Sequence, residues 1–337
     1  MTGMAPVPGD IVAALCRGGL AALGDRPAGE PLSGGVSSDI WRVDLPGGPV
    51  CVKRALARLK VAADWQAPVD RNRYEAAWME VAGRVAPEAV PPLLHRDEAS
   101  DSLVMPFLDP ARYSLWKARL AQGEAEPAVA AALGEVLARI HRATALDREL
   151  AARFPTDVLF HALRLEPYLL ATAARHPDLE RALVRLSRRT AMTKLALVHG
   201  DVSPKNILVG PSGPVLLDAE CAWYGDPAFD LAFCLNHLLL KCLLAPQAAA
   251  ALVACFDALV ERYLDGVTWE PRRALEARTA ALLPGLLLAR VDGKSPVEYL
   301  TEEWQRDMVR KVARGLLLDP VVGLVAVRDA WTGALAS

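Results

Sequence analysis

The sequence predicts an α+β fold with two lobes: a small antiparallel-sheet lobe over residues 1-108 and a larger, mainly helical lobe over residues 109-337. With 337 residues, 53% of them hydrophobic, the chain exceeds the commonest single-domain size and can bury a sizeable core. Short apolar strands separated by turn residues recur in the first part. From Tyr113 onwards, apolar residues follow helical spacing.

The composition argues against several classes of protein. The net charge of −2 gives no general attraction to nucleic acid or to an anionic membrane. The N-terminus lacks the basic segment of a signal peptide, and polar residues interrupt the most apolar region, 231–260. The six cysteines form no CxxC pair and are expected to be reduced core thiols. We therefore expect a cytoplasmic protein that binds neither nucleic acid nor a membrane.

The chain begins with a helix and a hairpin. Apolar residues predict a short helix over 11–23 that ends at Gly24. A strand over 40–43 is followed by a Pro-Gly-Gly turn and by a returning strand that ends at Lys53.

A loop of small residues, Ser33, Gly34 and Gly35, precedes this hairpin. Glycines let backbone N–H groups approach phosphate oxygens without an intervening Cβ atom. Taken alone, the two glycines favour an ordinary turn. Together with Lys53 at the end of the returning strand, they favour a phosphate-binding loop.

Lys53 needs a partner, because an unpaired buried ammonium is costly. The next predicted helix spans about residues 70–85 and carries two candidates. Glu75 is the first choice for the ion pair and Glu80 the second, since the sequence does not fix the rotation of the helix. Arg71, at the start of this helix, is expected to be solvated.

A second hairpin ends at Met105 and leads into the segment we interpret as the linker between the lobes. Pro106 has no N–H, so any backbone hydrogen-bond donor in this segment must come from a neighbour such as Phe107 or Leu108. A plain edge strand is the alternative interpretation of this segment.

The rest of the chain is mainly helical. Helices are predicted over residues 115–122, 127–144, 158–175, 179–190, 230–243, 248–264 and 271–288, with a further one starting at 297. Pro284 is expected to kink or break the helix in which it lies.

The central stretch, residues 197–235, carries the chemistry. Three short strands are predicted within it, at 197–198, 207–209 and 215–217. Asp201, Asn206 and Asp218 lie at their ends, and a hairpin brings the last two close together. Two carboxylates and an amide oxygen offer hard ligands for a divalent cation such as Mg²⁺. Asp201, on the loop, is the natural candidate to receive a proton from a substrate hydroxyl.

The ordered set His199-Gly200-Asp201, Asn206 and Asp218, followed by the run YGDPAFDLA at 224–232, resembles the catalytic segment of the aminoglycoside phosphotransferase and choline kinase superfamily. That superfamily is a branch of the protein-kinase-like fold, so the resemblance implies this bilobal fold. In the family, the aspartate at the position of Asp230 is structural and holds the catalytic loop through backbone N–H groups.

A narrower resemblance is to 5-methylthioribose kinases. They carry an Asp-x-Glu metal motif followed by an aromatic-Tyr-Gly run, as Asp218-Ala219-Glu220 and Trp223-Tyr224-Gly225 do here. The chain departs from them at Asn206, where it keeps the asparagine common in the wider superfamily. The departure concerns the substrate rather than the reaction.

The resemblance implies an ATP-dependent small-molecule kinase that uses Mg²⁺, with Asp201 as the catalytic base. The residues that would bind the nucleotide phosphates are Ser33, Gly34, Gly35 and Lys53, with Glu75 completing the nucleotide site by holding Lys53. Those that would surround the adenine are Met105, Phe107 and Leu108. Those that would hold Mg²⁺ are Asn206 and Asp218, with Glu220 assisting.

For the acceptor, Asp201, Trp223 and Arg290 are the candidate contacts, and a sugar-like or amino-alcohol metabolite is favoured over an antibiotic. Lys205 either touches the γ-phosphate or faces solvent. Four acidic residues near the C-terminus are expected to be solvated and ion-paired, which argues against an acidic aminoglycoside pocket: Glu298, Glu302, Glu303 and Asp307.

Three alternatives remain open from the sequence. The first is a non-catalytic nucleotide-binding regulatory relative, although such a relative usually loses one of the expected polar residues. The second is a genuine aminoglycoside-resistance kinase. The third is a metal-dependent hydrolase, which would leave Lys53 without a purpose.

Overall fold

A six-stranded antiparallel sheet forms the first part of the molecule. The computed structural model describes residues 5–32, 38–55 and 71–336. The strands, in chain order, are β1 (Ala5–Pro6), β2 (Ala28–Pro31), β3 (Ser38–Val43), β4 (Val50–Ala55), β5 (His95–Asp97) and β6 (Ser102–Pro106). Their order in the sheet is β1-β2-β3-β4-β6-β5. Both predicted hairpins are therefore present, and β4 pairs with β6 so that Lys53 lies opposite Leu103.

Two helices accompany this sheet. Helix α1 (Gly9–Arg17) packs near β5 and β6, and helix α2 (Arg71–Val85) packs on β4 and β6. The first helix is shorter than predicted. It ends at Arg17 because Gly18 caps it and Gly19 takes a left-handed backbone conformation, with φ of 67°.

The larger part of the chain is helical and contains short strand pairs. Its helices are α3 (Trp116–Ala121), α4 (Pro127–Thr144), α5 (Arg148–Arg153), α6 (Asp157–Phe160), α7 (Ala171–Arg175), α8 (Glu180–Met192), α9 (Pro227–Leu244), α10 (Ala249–Asp265), α11 (Arg272–Asp292), α12 (Glu303–Leu318) and α13 (Leu324–Leu335). Its strands are β7 (Ser114–Leu115), β8 (Ala196–Val198), β9 (Ile207–Gly210), β10 (Gly213–Leu216) and β11 (Trp223–Gly225). The predicted bilobal α+β fold is confirmed.

A π-helix, His161–Leu170, joins α6 to α7 and forms one continuous helical segment with them. The prediction of a helix over 158–175 is therefore right in extent, but its middle is wider than an α-helix. Pro167 lies inside this π-helix and has no N–H to donate to a helical hydrogen bond. Wide turns of this kind are frequent at functional sites.

Two helix predictions need correction. Helix α11 is not broken at Pro284 but continues through it, because packing against α9 outweighs the hydrogen bond that the proline removes. Helix α12 starts at Glu303 rather than at 297, so Glu298 lies on the loop before it. This difference matters because Glu298 then faces the central cavity.

Helix α9 is the core of the larger lobe. It packs against α10 and α11, and nearly all of its residues are buried. Among the described residues it alone is long and apolar enough to cross a membrane, yet 94% of that length is buried inside the protein, as expected of a core helix. The six cysteines are all free, as predicted.

Candidate active site

The hairpin of β9 and β10 positions two candidate metal ligands. Ile207 pairs with Leu216, and the Leu217 N–H donates to the Asn206 carbonyl oxygen at 2.9 Å. Asn206 and Asp218 therefore flank the open end of the hairpin, as the sequence predicts. Asp218 has φ of 66°, a left-handed conformation that aspartate tolerates better than most residues.

Asp230 anchors the loop that carries Asp201. Its carboxylate accepts the His199 N–H at 2.7 Å and the Gly200 N–H at 2.8 Å. The ring of His141, on α4, lies 3.2 Å from the same carboxylate. Because Asp230 belongs to the first turn of α9, the loop is fixed to the core helix.

Gly200 is required by this geometry. Its φ is 78°, and a Cβ atom added there would lie 2.4 Å from the Cys221 carbonyl oxygen. We expect Gly200→Ala to lower the free energy of unfolding by about 2 kcal/mol or more, because it combines backbone strain with a steric clash. Chemical denaturation would measure the change.

Gly19→Ala is the matched control, since Gly19 has φ of 67° but no atom near an added Cβ. Its loss in the free energy of unfolding should reflect the backbone strain alone. Equal losses in the two variants would contradict a tight fit of the loop against Cys221.

Asp201 is buried among cationic groups. Its Oδ2 atom lies 3.0 Å from Arg164 Nη2, 3.1 Å from Lys205 Nζ and 2.9 Å from Asn206 Nδ2, which donates to it. Burial opposes ionisation of Asp201, but the Arg164 guanidinium and then the Lys205 ammonium outweigh it and hold the pKa of this carboxyl well below its ordinary value. Asp201 is therefore ionised at neutral pH and presents a fixed acceptor.

Lys53 lies between two carboxylates. Its Nζ atom is 2.6 Å from Glu75 Oε2, and it also contacts Asp218. Glu80 instead pairs with Arg153 at the surface, so the structure selects Glu75 of the two candidates. Burial alone would lower the pKa of Lys53, but the Asp218 and Glu75 carboxylates raise it well above its ordinary value.

A cavity of about 790 Å³ opens between the sheet and the helical part. It brings together eight of the residues that the sequence singled out, namely Lys53, Glu75, Met105, Asp201, Asn206, Asp218, Glu220 and Arg290. Groups separated by more than 200 residues in the chain thus share one enclosed space.

The residues at the cavity fit a divalent cation. Asn206 directs its Nδ2 atom to Asp201, which leaves its amide oxygen for another partner. The pKa of Asp218 is lowered: burial opposes this, but Lys53 and Lys205 outweigh it. An ionised carboxylate beside an amide oxygen is the hard-oxygen set that Mg²⁺ prefers. Glu220 lines the same cavity, but its carboxylate lies 2.9 Å from Arg71 Nε.

Arg71 corrects an expectation. It was expected to be solvated, but it is fully buried and pairs with Glu220. The helical pattern of α2 is weak, so it did not reveal which residues face inwards.

Other predicted contacts do not reach the cavity. The indole of Trp223 is stacked on Phe160 at 4.1 Å and donates to Asp157, so Trp223 belongs to the core and does not face an acceptor. The Phe107 N–H donates to the Pro49 carbonyl oxygen. Leu108 is therefore the remaining neighbour whose backbone N–H could donate a hydrogen bond to a ligand. Ser33, Gly34 and Gly35 lie outside the described residues.

Several cavity residues escaped the sequence analysis. Arg164 and Tyr168 project from the π-helix, Lys117 from α3 and His237 from α9. Lys205, left open between phosphate and solvent, contacts Asp201. A proline inside a predicted helix was the one available signal of the irregular segment that carries Arg164.

The comparison with known families agrees with this geometry. A model of the phosphotransferase enzyme family matches residues 28–275. The chain belongs to this family.

Methylthioribose kinase of Pectobacterium atrosepticum is 29% identical over 233 residues, which cover 60% of this chain. The chain spans 58% of the length of that relative. Two solved structures share the fold, each with a TM-score of 0.57. Amicoumacin kinase is 12% identical and covers 94% of this chain and 96% of its own, whereas choline kinase from Cryptosporidium parvum is 11% identical and covers 95% and 99%.

Proposed function

We propose that this protein is an ATP-dependent small-molecule kinase that transfers the γ-phosphate to a hydroxyl group. The observation that carries the proposal is the convergence of Lys53, Asp201 and Asp218 on one cavity. Phosphoryl transfer asks a protein mainly for positioning and charge neutralisation. In this proposal residues 1-108 bind the nucleotide, and residues 109-337 carry the catalytic loop and the acceptor site.

Each side of the cavity has its own task. Lys53, held by Glu75, binds the nucleotide phosphates, while Met105 and the Leu108 backbone lie beside the adenine. Asn206 and Asp218 would hold Mg²⁺, with Glu220 assisting. When bound, Mg²⁺ neutralises the phosphate charge. Asp201 accepts a hydrogen bond from the acceptor hydroxyl and takes its proton as transfer proceeds.

The acceptor side of the cavity is basic. Five cationic side chains line it and its adjoining recess, namely Lys117, Arg164, Lys205, Lys241 and Arg290, against two carboxylates, Asp201 and Glu298. A polycationic aminoglycoside or a simple cationic amino alcohol would be repelled by this excess. The relatives named methylthioribose kinase support a sugar-like acceptor instead.

A thermal-shift titration with MgATP and MgGTP, followed by an ATP-consumption screen of sugars, amino alcohols and aminoglycosides, tests the proposal. We expect stabilisation by one magnesium nucleotide and turnover with a sugar-like acceptor. Stabilisation without turnover on any acceptor would favour a non-catalytic nucleotide-binding relative. Turnover confined to aminoglycosides would favour a resistance kinase, and an absence of stabilisation would reject the assignment.

Arg164 is a positioning residue, and its removal should alter the pH dependence of the reaction. Arg164 makes the largest single contribution to the attraction that lowers the pKa of Asp201. In Arg164→Met, less positive charge remains to offset the effect of burial on Asp201. The pKa of Asp201 therefore rises, and the carboxyl becomes protonated at a higher pH. The acid limb of the kcat/KM profile should therefore move to higher pH.

Lys205→Met should shift the same limb less, because Lys205 is partly exposed to solvent. A pH profile of Arg164→Met that keeps the wild-type acid limb, with only a lower plateau, would contradict this role.

A further inference from the structure

A recess of about 40 Å³ adjoins the acceptor side of the main cavity. It shares five lining residues with the main cavity, namely Lys117, Lys205, His237, Arg290 and Glu298, and its lining is completed by Ser203, Pro204, Lys241 and Tyr299. Its volume suits a few waters or one small anionic group. No residue of this recess other than Lys205 and Arg290 has a role in the proposed reaction.

Lys241 is the unusual member of this set. It lies on the core helix α9, only 1% exposed. Among the described residues no carboxylate lies within ion-pair distance of its ammonium, and Nζ lies over the ring of Tyr299, 4.1 Å from the centroid. A cation over an aromatic face is only partly compensated. A buried ammonium without an anion destabilises a protein, so its retention needs a reason.

Further donors in the lining also lack partners. The Ser203 and Tyr299 hydroxyls and the Arg290 Nε atom are buried without a hydrogen bond to any described residue. Arg290 donates through Nη1 to Tyr168 and Ser295, neither of which is an anion. Ammonium and guanidinium groups can only donate, so the missing partner is an acceptor.

The existing carboxylates do not fill this need. Glu298 is paired with Lys117 at 2.5 Å, and Asp201 is shared by Arg164 and Lys205. Burial and then Lys117 lower the pKa of Lys241 to about 8 against a smaller opposing effect of Glu298, so its charged form still predominates at neutral pH. An anion entering the recess would restore the charge balance.

We propose that the recess binds an acidic group, a carboxylate or a phosphate, belonging to the acceptor whose hydroxyl faces Asp201. This inference rests on the proposed kinase function and narrows its substrate to an anionic alcohol, such as a sugar acid or a sugar phosphate. Lys205 lines both spaces and contacts Asp201 at 3.1 Å, and Ser203 is two residues from Asp201. One small molecule can therefore reach both the recess and the base.

The first test compares acceptors in matched pairs, each an acidic alcohol and its neutral amide or dephosphorylated counterpart. Lys241→Met should lower kcat/KM for the acid about tenfold to a hundredfold, the range lost with a charge-assisted hydrogen bond. It should change the value for the neutral partner by less than about twofold. Lys294→Met is the control, because it removes the same charge at the surface, where Lys294 pairs with Glu166. It should leave the ratio of kcat/KM values for the acidic and neutral acceptors unchanged.

The second test needs no turnover. Sodium phosphate and sodium acetate are titrated against the full chain in a thermal-shift assay, with sodium chloride used to match ionic strength. We expect both anions to stabilise the wild type and neither to stabilise Lys241→Met. The variant alone should melt at or above the wild-type temperature, since it loses an unpaired buried charge. A melting point far below wild type would instead show that Lys241 supports the fold, which would overturn the inference.

The combined outcomes separate the two proposals. Anion stabilisation that depends on Lys241, with no acceptor phosphorylated, would keep the anion site and reject the kinase function. Turnover that prefers neutral acceptors, or an equal loss on both members of a pair, would keep the kinase and reject the anionic acceptor. Anion stabilisation of an enzyme that shows no preference for acidic acceptors would assign the recess to a free anion and also overturn the inference.

Discussion

Asp201→Asn is expected to lower kcat by about a thousandfold or more, while the affinity for nucleotide changes by less than about twofold. Asparagine has the same shape as aspartate but cannot take the proton of the acceptor hydroxyl. The groups proposed to bind the nucleotide and Mg²⁺ include Lys53, Glu75 and Asp218, which form an ion-pair cluster of their own in which Lys53 bridges the two carboxylates. Steady-state kinetics and nucleotide titration of the same preparation would measure both quantities.

A change of stability could imitate this result. Without the Asp201 charge, Arg164 would be a buried guanidinium whose remaining acceptors are the carbonyl oxygens of Gly200 and Leu163. Removing one partner of a buried ion pair costs about 3–5 kcal/mol. The double variant Asp201→Asn with Arg164→Met removes both charges and should recover much of that stability.

The double variant therefore separates folding from chemistry. If Asp201 is the base, its melting temperature rises towards wild type and activity does not return. Substantial recovery of activity in the double variant would mean that the single substitution acted by misplacing the loop, and Asp201 would lose its assigned role.

The parts of the site that the sequence predicted are those fixed by local geometry. The turn between β9 and β10 sets their register, and this register alone places Asn206 beside Asp218. Lys53 meets Glu75, as predicted, because helix α2 is the next described helix along the chain after β4 and packs on that strand. In such cases short-range patterns in the sequence carry the required information.

The parts that the sequence could not predict depend on which side of a helix meets its neighbours. Helix α9 is buried on every side, so its apolar pattern cannot tell that Lys241 borders a recess. Arg164 faces Asp201 from a π-helix, whose wider turn departs from the regular spacing on which helix prediction depends.

Trp223 shows a related failure. The expectation that it contacts an acceptor relied on its nearness in sequence to Asp218. However, residues 223–225 form strand β11, which pairs with β8 and turns the indole towards Phe160. A side chain five residues from a candidate metal ligand can thus lie on the opposite side of the strand pair, in the core.

The second large effect is expected at Asp218. Both Asp218→Ala and Asp218→Asn remove the carboxylate, and each should weaken the Mg²⁺-dependent part of nucleotide affinity about a hundredfold. The Lys53 charge remains compensated in both variants, because Glu75 lies 2.6 Å from it. Titration of ATP at a series of Mg²⁺ concentrations would show a steep dependence in the wild type and almost none in the variants.

The two substitutions differ in how well the new residue tolerates the left-handed backbone conformation at position 218. At φ of 66°, asparagine is tolerated and alanine is strained, so Asp218→Ala should also be the less stable protein. Equal loss of Mg²⁺ dependence despite unequal stability would therefore identify the carboxylate as the metal ligand.

Glu220→Gln is the informative comparison, because Glu220 is already held by Arg71 and should have the smaller effect. If Glu220→Gln instead abolishes the Mg²⁺ dependence while Asp218→Asn retains it, the metal belongs to Glu220, and Asp218 serves chiefly to hold Lys53.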